Sequence, residues 1–129
     1  MLDIYDKCYR YFGKHKIEGG TRQDEIFKSF VSLVHEHCAS QREVSFYADK
    51  LCISTKYLTG ICKAVTGDSA KKIIDDFAIL EIKVLLQSTE LTVQEIADRL
   101  VFPDQSYLGR YFKRHEGMSP KEYQSKYSM

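Results

Sequence analysis

Tryptophan is absent, and the 129 residues hold only two prolines, Pro103 and Pro120, and seven glycines. So little turn punctuation leaves few breaks in the chain. Charge excess is also missing. Nineteen Lys and Arg face 18 Asp and Glu, a net of +1, which excludes a histone-like or polybasic binder. It leaves room for a few basic residues gathered on one face. No stretch approaches the ~20 uninterrupted apolar residues of a membrane span. The segment Met1-Leu2-Asp3-Ile4-Tyr5-Asp6-Lys7 lacks the apolar run of an export signal. The expectation is therefore a cytoplasmic protein whose four cysteines are reduced.

Catalytic and metal-binding patterns are lacking too. No glycine-rich phosphate loop occurs, and Ser, His and Asp share no recognisable spacing, so no enzyme is expected. Cys8, Cys38, Cys52 and Cys62 form no C-x-x-C pair. In His35-Glu36-His37-Cys38 the histidines stand at i and i+2, which point apart on a helix. Neither a metal nor a cofactor is expected. Cys52 and Cys62 occupy apolar positions and are read as core. Cys8 and Cys38 are the candidates for an exposed, reactive thiol.

What the chain does have is an ordinary globular composition, 43% hydrophobic and 29% charged, and helical spacing of its apolar residues. The fold class is all-α with about seven helices. Residues 1–21, with Tyr5, Tyr9, Tyr11 and Phe12, read as a linker or tail and a pairing surface. A helix from about Asp24 to Cys38 lines up Ile26, Phe27, Phe30, Val31 and Val34 on one face. Short helices follow at about Ser45–Leu51 and Lys56–Val65, with Gly67 as the stop. A long helix covers about Ser69–Gln87. Thr92 with Glu95 makes a capping box for the next, which ends at Leu100. The sixth starts near Asp104 and ends before Gly117. Ser119-Pro120 opens the last.

The chain repeats itself. Lys56–Lys71 aligned on Ser106–Lys121 gives six identities in sixteen positions: Tyr57/Tyr107, Leu58/Leu108, Lys63/Lys113, Gly67/Gly117, Ser69/Ser119 and Lys71/Lys121. Upstream, Ala48-Asp49-Lys50-Leu51 matches Ala97-Asp98-Arg99-Leu100 at an offset of 49 rather than 50, so the second copy has one more residue in its turn. Each copy reads as a helix-turn-helix. This gives a first subdomain at 22–68, a connecting helix at 69–88 and a second subdomain at 89–129.

Each second helix has two faces. In the first copy Leu58, Ile61, Cys62 and Val65 point inward, and Lys56, Thr59, Gly60 and Lys63 point outward. In the second, Leu108, Tyr111, Phe112 and His115 point inward. Ser106, Gly109, Arg110 and Lys113 point outward, with Gln105 at the start. The outward faces carry small, hydrogen-bonding and cationic residues and no acid. A small residue lets a helix backbone approach a groove floor. Arg pairs bidentately with guanine and Gln with adenine, and Lys serves phosphates. The partner expected is double-stranded DNA. The 19-residue connecting helix spans ~28 Å, near the ~34 Å between adjacent major grooves, so one chain could place a recognition helix in each.

The run Ile96–Tyr123 resembles the signature of the AraC/XylS family of bacterial transcription regulators: an IA motif, a turn, an S-[YF]-[FL]-x-[RK]-x-F-K helix, G-x-[ST]-P and a closing Tyr. The resemblance covers about residues 24–127. It implies seven helices, sequence-specific promoter binding and activation through RNA polymerase. It assigns base contacts to Gln105, Ser106, Gly109 and Arg110, and phosphate contact to Lys113. In the first motif Lys56, Tyr57, Thr59 and Gly60 hold the reading positions, with Lys63 behind. It further implies a piece of a larger regulator with a sensor domain, although stand-alone members exist, and a homodimer through the N-terminal residues or beyond.

Three residues depart from the family pattern. Val101 stands where a turn glycine is usual, Gly60 where many members are basic, and Cys62 where many are aromatic. The first motif is thus read as gripping backbone or sensing shape while the second specifies. The competing class is a helical protein-interaction module using the same motifs as scaffold. It would show exposed Leu, Phe or Tyr on the outward faces.

Overall fold

A computed structural model describes residues 21–88 and 90–127. Among these the chain forms seven helices and no strand. They are α1 Arg22–His37, α2 Val44–Lys50, α3 Thr55–Thr66, α4 Ala70–Ser88, α5 Val93–Arg99, α6 Gln105–Glu116 and α7 Pro120–Tyr127. None is long and apolar enough to cross a membrane. The expectations on Tyr5, Cys8, Tyr9, Tyr11 and Phe12 lie outside the described residues.

Local chemistry sets the helix ends. The side chains of Thr21, Ser54, Thr92 and Asp104 each accept a backbone N–H three residues on, from Asp24, Tyr57, Glu95 and Tyr107. Each such cap contributes about 1 kcal/mol. The expected capping box is present: the Thr92 N–H donates to Glu95 Oε1 at 2.8 Å, and the Glu95 N–H to Thr92 Oγ1 at 3.1 Å. Ser119 and Glu122 repeat it at α7. Those backbone and hydroxyl donors hold both glutamates below the usual carboxylate range.

The chain divides into two compact units inside α4, one ending at Phe77 and the other beginning at Ala78. In the first, α1 buries Ile26, Phe27, Phe30, Val31 and Val34, the stripe the sequence predicts. They join Tyr47, Ala48, Leu58, Ile61, Cys62, Ile73, Ile74 and Phe77 in one cluster. Tyr47 meets Phe30 edge to face at 5.7 Å, and its hydroxyl donates to the Gln41 carbonyl at 2.6 Å. Burial pushes that phenol far above its ordinary pKa. Arg42 donates to the Ala39 carbonyl at 2.8 Å, and Lys71 donates to the Arg42 carbonyl at 2.9 Å. The turn after α1 is thereby tied to the start of α4. Truncating a fully buried ring such as Phe30 to alanine would cost about 3–5 kcal/mol.

The second unit buries Ile82, Leu85, Leu86, Ile96, Ala97, Leu108, Phe112 and Tyr123. Its last helix is fastened by polar bonds as well as by packing. Gln87 Nε2 donates to the Tyr123 hydroxyl at 2.7 Å, Gln124 Nε2 donates to the Leu86 carbonyl at 3.3 Å, and Tyr123 lies against Phe112 at 5.5 Å. Lys83 pairs with Glu116 at 2.8 Å and ties α6 to α4.

The two helix-turn-helix turns share one backbone design. After α2 the Ile53 N–H bonds the Ala48 carbonyl and the Cys52 N–H bonds that of Asp49. After α5 the Phe102 N–H bonds Ala97 and the Val101 N–H bonds Asp98. Both are Schellman closures, which place the residue after the C-cap in the left-handed region. That residue is Cys52 (φ 58°) in one turn and Val101 (φ 59°) in the other. The second turn is one residue longer, by Pro103, as the change of offset predicts.

Three assignments of side-chain direction are corrected. Cys52 is exposed and not core, because its position is the left-handed turn residue. Cys38 is 2% exposed, so it is not a reactive surface thiol; it caps α1 and is packed inside the first unit. His115 is exposed and does not point inward. It lies where the apolar stripe of α6 runs out, its ring 4.8 Å from Tyr111.

Candidate nucleic-acid interface

Each unit presents the second helix of its helix-turn-helix, α3 in the first and α6 in the second. In the first, Ser54 opens α3 and Gly67 closes it at φ 85°. Leu58, Ile61 and Cys62 anchor the inner side, with Val65 half-buried against the same cluster. Burial drives the Cys62 thiol up to about 12, so it packs as an apolar group. The outer side offers Lys56, Tyr57, Gly60 and Lys63, all exposed, and the half-buried Thr59. α3 has no acidic residue. Beside its start lies an open recess lined by Glu43, Val44, Ser45, Thr55, Lys56 and Thr59.

In the second unit Asp104 opens α6 and Gly117 closes it at φ 84°. Leu108, Tyr111 and Phe112 are buried. Gln105, Ser106, Tyr107, Arg110, Lys113 and Arg114 are exposed, and Gly109 is half-buried. The acids around this face are engaged elsewhere. Asp104 accepts the Tyr107 N–H at 2.8 Å, Glu116 pairs with Lys83, and Asp98 accepts from Gln94 at 3.0 Å. Between Gln105 and His115 the helix itself carries Arg110, Lys113 and Arg114 and no carboxylate.

Gly60 and Gly109 have no internal reason to be glycine. A Cβ built on either meets nothing within 4 Å. A glycine inside a helix costs about 0.8–1.0 kcal/mol relative to alanine. Both lie mid-helix on the outer face, where the missing side chain leaves the helix backbone uncovered.

All ten residues predicted for the interface thus fall on the outer faces, five in each unit. The sequence reading missed two members of the second face, Tyr107 and Arg114. Tyr107 is 45% exposed, close to the 42% of Tyr57, and the repeat pairs those two tyrosines. Arg114 follows Arg110 by four residues, which is the next turn on one helix face.

A family model described as a helix-turn-helix domain matches residues 47–126. That span takes in both motifs and more than half of the chain. The chain belongs to the AraC family of helix-turn-helix DNA-binding domains. The family consists of DNA-binding regulators and not of enzymes. Among curated AraC relatives, the arabinose operon regulatory protein of Salmonella typhimurium is 28% identical over 103 residues, which are 79% of this chain and 37% of that protein. The chain therefore spans well under half the length of this relative. Among solved structures, the C-terminal domain of AraT, a response regulator from Geobacillus stearothermophilus, matches with a TM-score of 0.76 at 26% identity. The match covers 84% of this chain and 91% of that one. The DNA-binding domain of AdpA, solved in complex with a target DNA, shares the fold with a TM-score of 0.66 at 23% identity, over 84% and 94% of the two chains.

Proposed function

We propose that this chain is the DNA-reading part of a bacterial transcription activator, using the outer faces of α3 and α6 as its two recognition surfaces. The observation that carries the reading is the α6 face: Gln105, Ser106, Arg110 and Lys113 exposed together on a stretch of helix, Gln105–His115, that holds no carboxylate. Arg110 pairs with guanine through its two parallel N–H donors, Gln105 with adenine, and Ser106 with either. Gly109 lets the helix backbone come close to the groove floor. Lys113 neutralises a phosphate and fixes register. AdpA, similar in fold, was solved on its target DNA, which supports duplex DNA as the partner here.

On α3, Lys56 and Lys63 grip phosphates, and Tyr57, Thr59 and Gly60 approach the bases. No arginine stands at the centre of this face, so it contributes affinity and shape recognition more than base identity. Each face enters a major groove. A net charge of +1 gives one chain modest affinity, and a second copy on a neighbouring site raises it. The protein acts in the bacterial cytoplasm, and RNA polymerase is the partner through which it activates.

The test is equilibrium binding to a duplex of about 25 base pairs at several salt concentrations. The plot of log affinity against log salt has a slope of about −0.9 per phosphate neutralised. Replacing Lys113 by alanine should flatten it by about one and weaken all sequences alike. A slope unchanged by Lys113→Ala would remove that residue from the interface.

A further inference from the structure

Tyr107, Arg110, Tyr111 and Arg114 form a stripe at i, i+3, i+4 and i+7 along α6. The guanidinium of Arg110 lies over the Tyr107 ring, 6.0 Å from its centre. One turn on, Arg114 lies over Tyr111 at the same 6.0 Å. The rings are seated from below. Phe102 packs on Tyr107 at 5.9 Å and on Tyr111 at 5.4 Å, and Phe102 is itself 5% exposed. The four side chains line a small cavity of about 90 Å³. Among the described residues neither arginine pairs with a carboxylate, whereas Lys71, Lys72 and Lys83 all do. A guanidinium held over a ring at cation–π distance spends none of its N–H donors on that contact, so all of them stay available to a partner.

We propose that Tyr107 is a positioning residue for DNA reading. Its ring holds the Arg110 guanidinium in the plane that meets a guanine edge, and Arg114, set on Tyr111 in the same way, is a further cation for a backbone phosphate. An unrestrained arginine loses rotamer freedom when it binds. One already stacked on a ring anchored in the core loses less. The two arginines then divide the work, because only Arg110 lies at the centre of the reading face. This inference rests on the DNA-reading function proposed above.

The experiment compares the full chain with Tyr107→Phe, Tyr107→Ala, Arg110→Ala and Arg114→Ala. Each is bound to the duplex selected by the unmodified chain and to versions with Arg110's guanine replaced, over a range of salt. Circular dichroism checks that each variant is folded. An exposed cation–π contact is worth about 0.5–1 kcal/mol. Tyr107→Ala should therefore lower discrimination at that guanine about two- to fivefold and leave the salt slope unchanged. Tyr107→Phe, which keeps the ring, should retain it. Arg114→Ala should weaken all sequences alike and flatten the slope by about 0.9. Equal loss in Tyr107→Phe and Tyr107→Ala, or loss without change in discrimination, would overturn the positioning role. An unchanged slope in Arg114→Ala would overturn the phosphate contact. The side-chain Nε–H resonance of Arg110 in DNA-free protein supplies an independent readout. The ring should shift it, and Tyr107→Ala should abolish the shift. If the unmodified chain selects no duplex, the DNA-reading function fails, and the resonance still decides the stacking.

Discussion

The turn residue Val101 supplies the sharpest test of the fold. It sits at φ 59° and is 60% exposed. A β-branched side chain in the left-handed region is a steric outlier, and a Cβ there costs about 1–2 kcal/mol. Glycine removes that cost but adds about 0.5–1 kcal/mol of chain entropy in the unfolded state. Valine also contributes some burial, which both glycine and alanine forfeit, so the informative comparison is between those two. Val101→Gly should be more stable than Val101→Ala by roughly 0.5–1 kcal/mol, a rise in melting temperature of about 2–6 °C. The order should reverse at Gly60, where the backbone has no positive φ and a Cβ meets nothing within 4 Å. There alanine should exceed glycine by about 1 kcal/mol. Urea and thermal unfolding of the full chain, followed by circular dichroism, measure both differences. If alanine at 101 equals or exceeds glycine, the Schellman reading of this turn is wrong.

Gly60→Ala and Gly109→Ala should each raise stability by about 1 kcal/mol in a melting experiment while weakening duplex binding several-fold; a binding gain would mean that no close approach occurs there. A maleimide should label Cys52 in the folded protein well before Cys38 or Cys62, because Cys52 is exposed and the others are buried, with the Cys62 thiol raised to about 12. Mass mapping of the labelled peptides checks the order. Glu95 and Glu122 have lowered carboxyl pKa values in the folded state. Their stabilisation is thus fully present above the unfolded glutamate value and is lost as pH falls through the lower folded value. Acid unfolding of Glu95→Gln and Glu122→Gln should show a shallower pH dependence than that of the unmodified chain.

Much of this was legible in the residues. Helix starts were readable where a cap is a side chain, as at Thr92, Asp104 and Ser119, whereas the Ser54 cap of α3 was missed. Stops were readable where the backbone needs glycine, as at Gly67 and Gly117. The repeat located the second helix of both motifs and showed that the second turn is one residue longer. Two side-chain directions were not readable, each for a physical reason, and a third was readable but missed. Cys52 sits in an apolar context, but its direction follows from the left-handed turn and not from helical period. Cys38 stands four residues after Val34, on the buried stripe of α1, so helical period places it in the core. His115 continues the i+3, i+4 stripe of α6 past the point where the second unit has anything to pack on it. The stacking of Arg110 and Arg114 was hidden because a tyrosine at a helix boundary position can turn to the core or to its neighbour. Only the anchoring of both rings on Phe102 decides it.

The central claim is that the outer face of α6 reads bases through Arg110. Selection of bound molecules from randomised duplexes of about 25 base pairs, with the unmodified chain and Arg110→Ala side by side, tests it most directly. The account predicts a bipartite consensus with half-sites about one helical turn apart, one half containing a fixed guanine that Arg110→Ala releases while the other half stays. An identical consensus from both proteins, or no enrichment by either even at low salt, would contradict it.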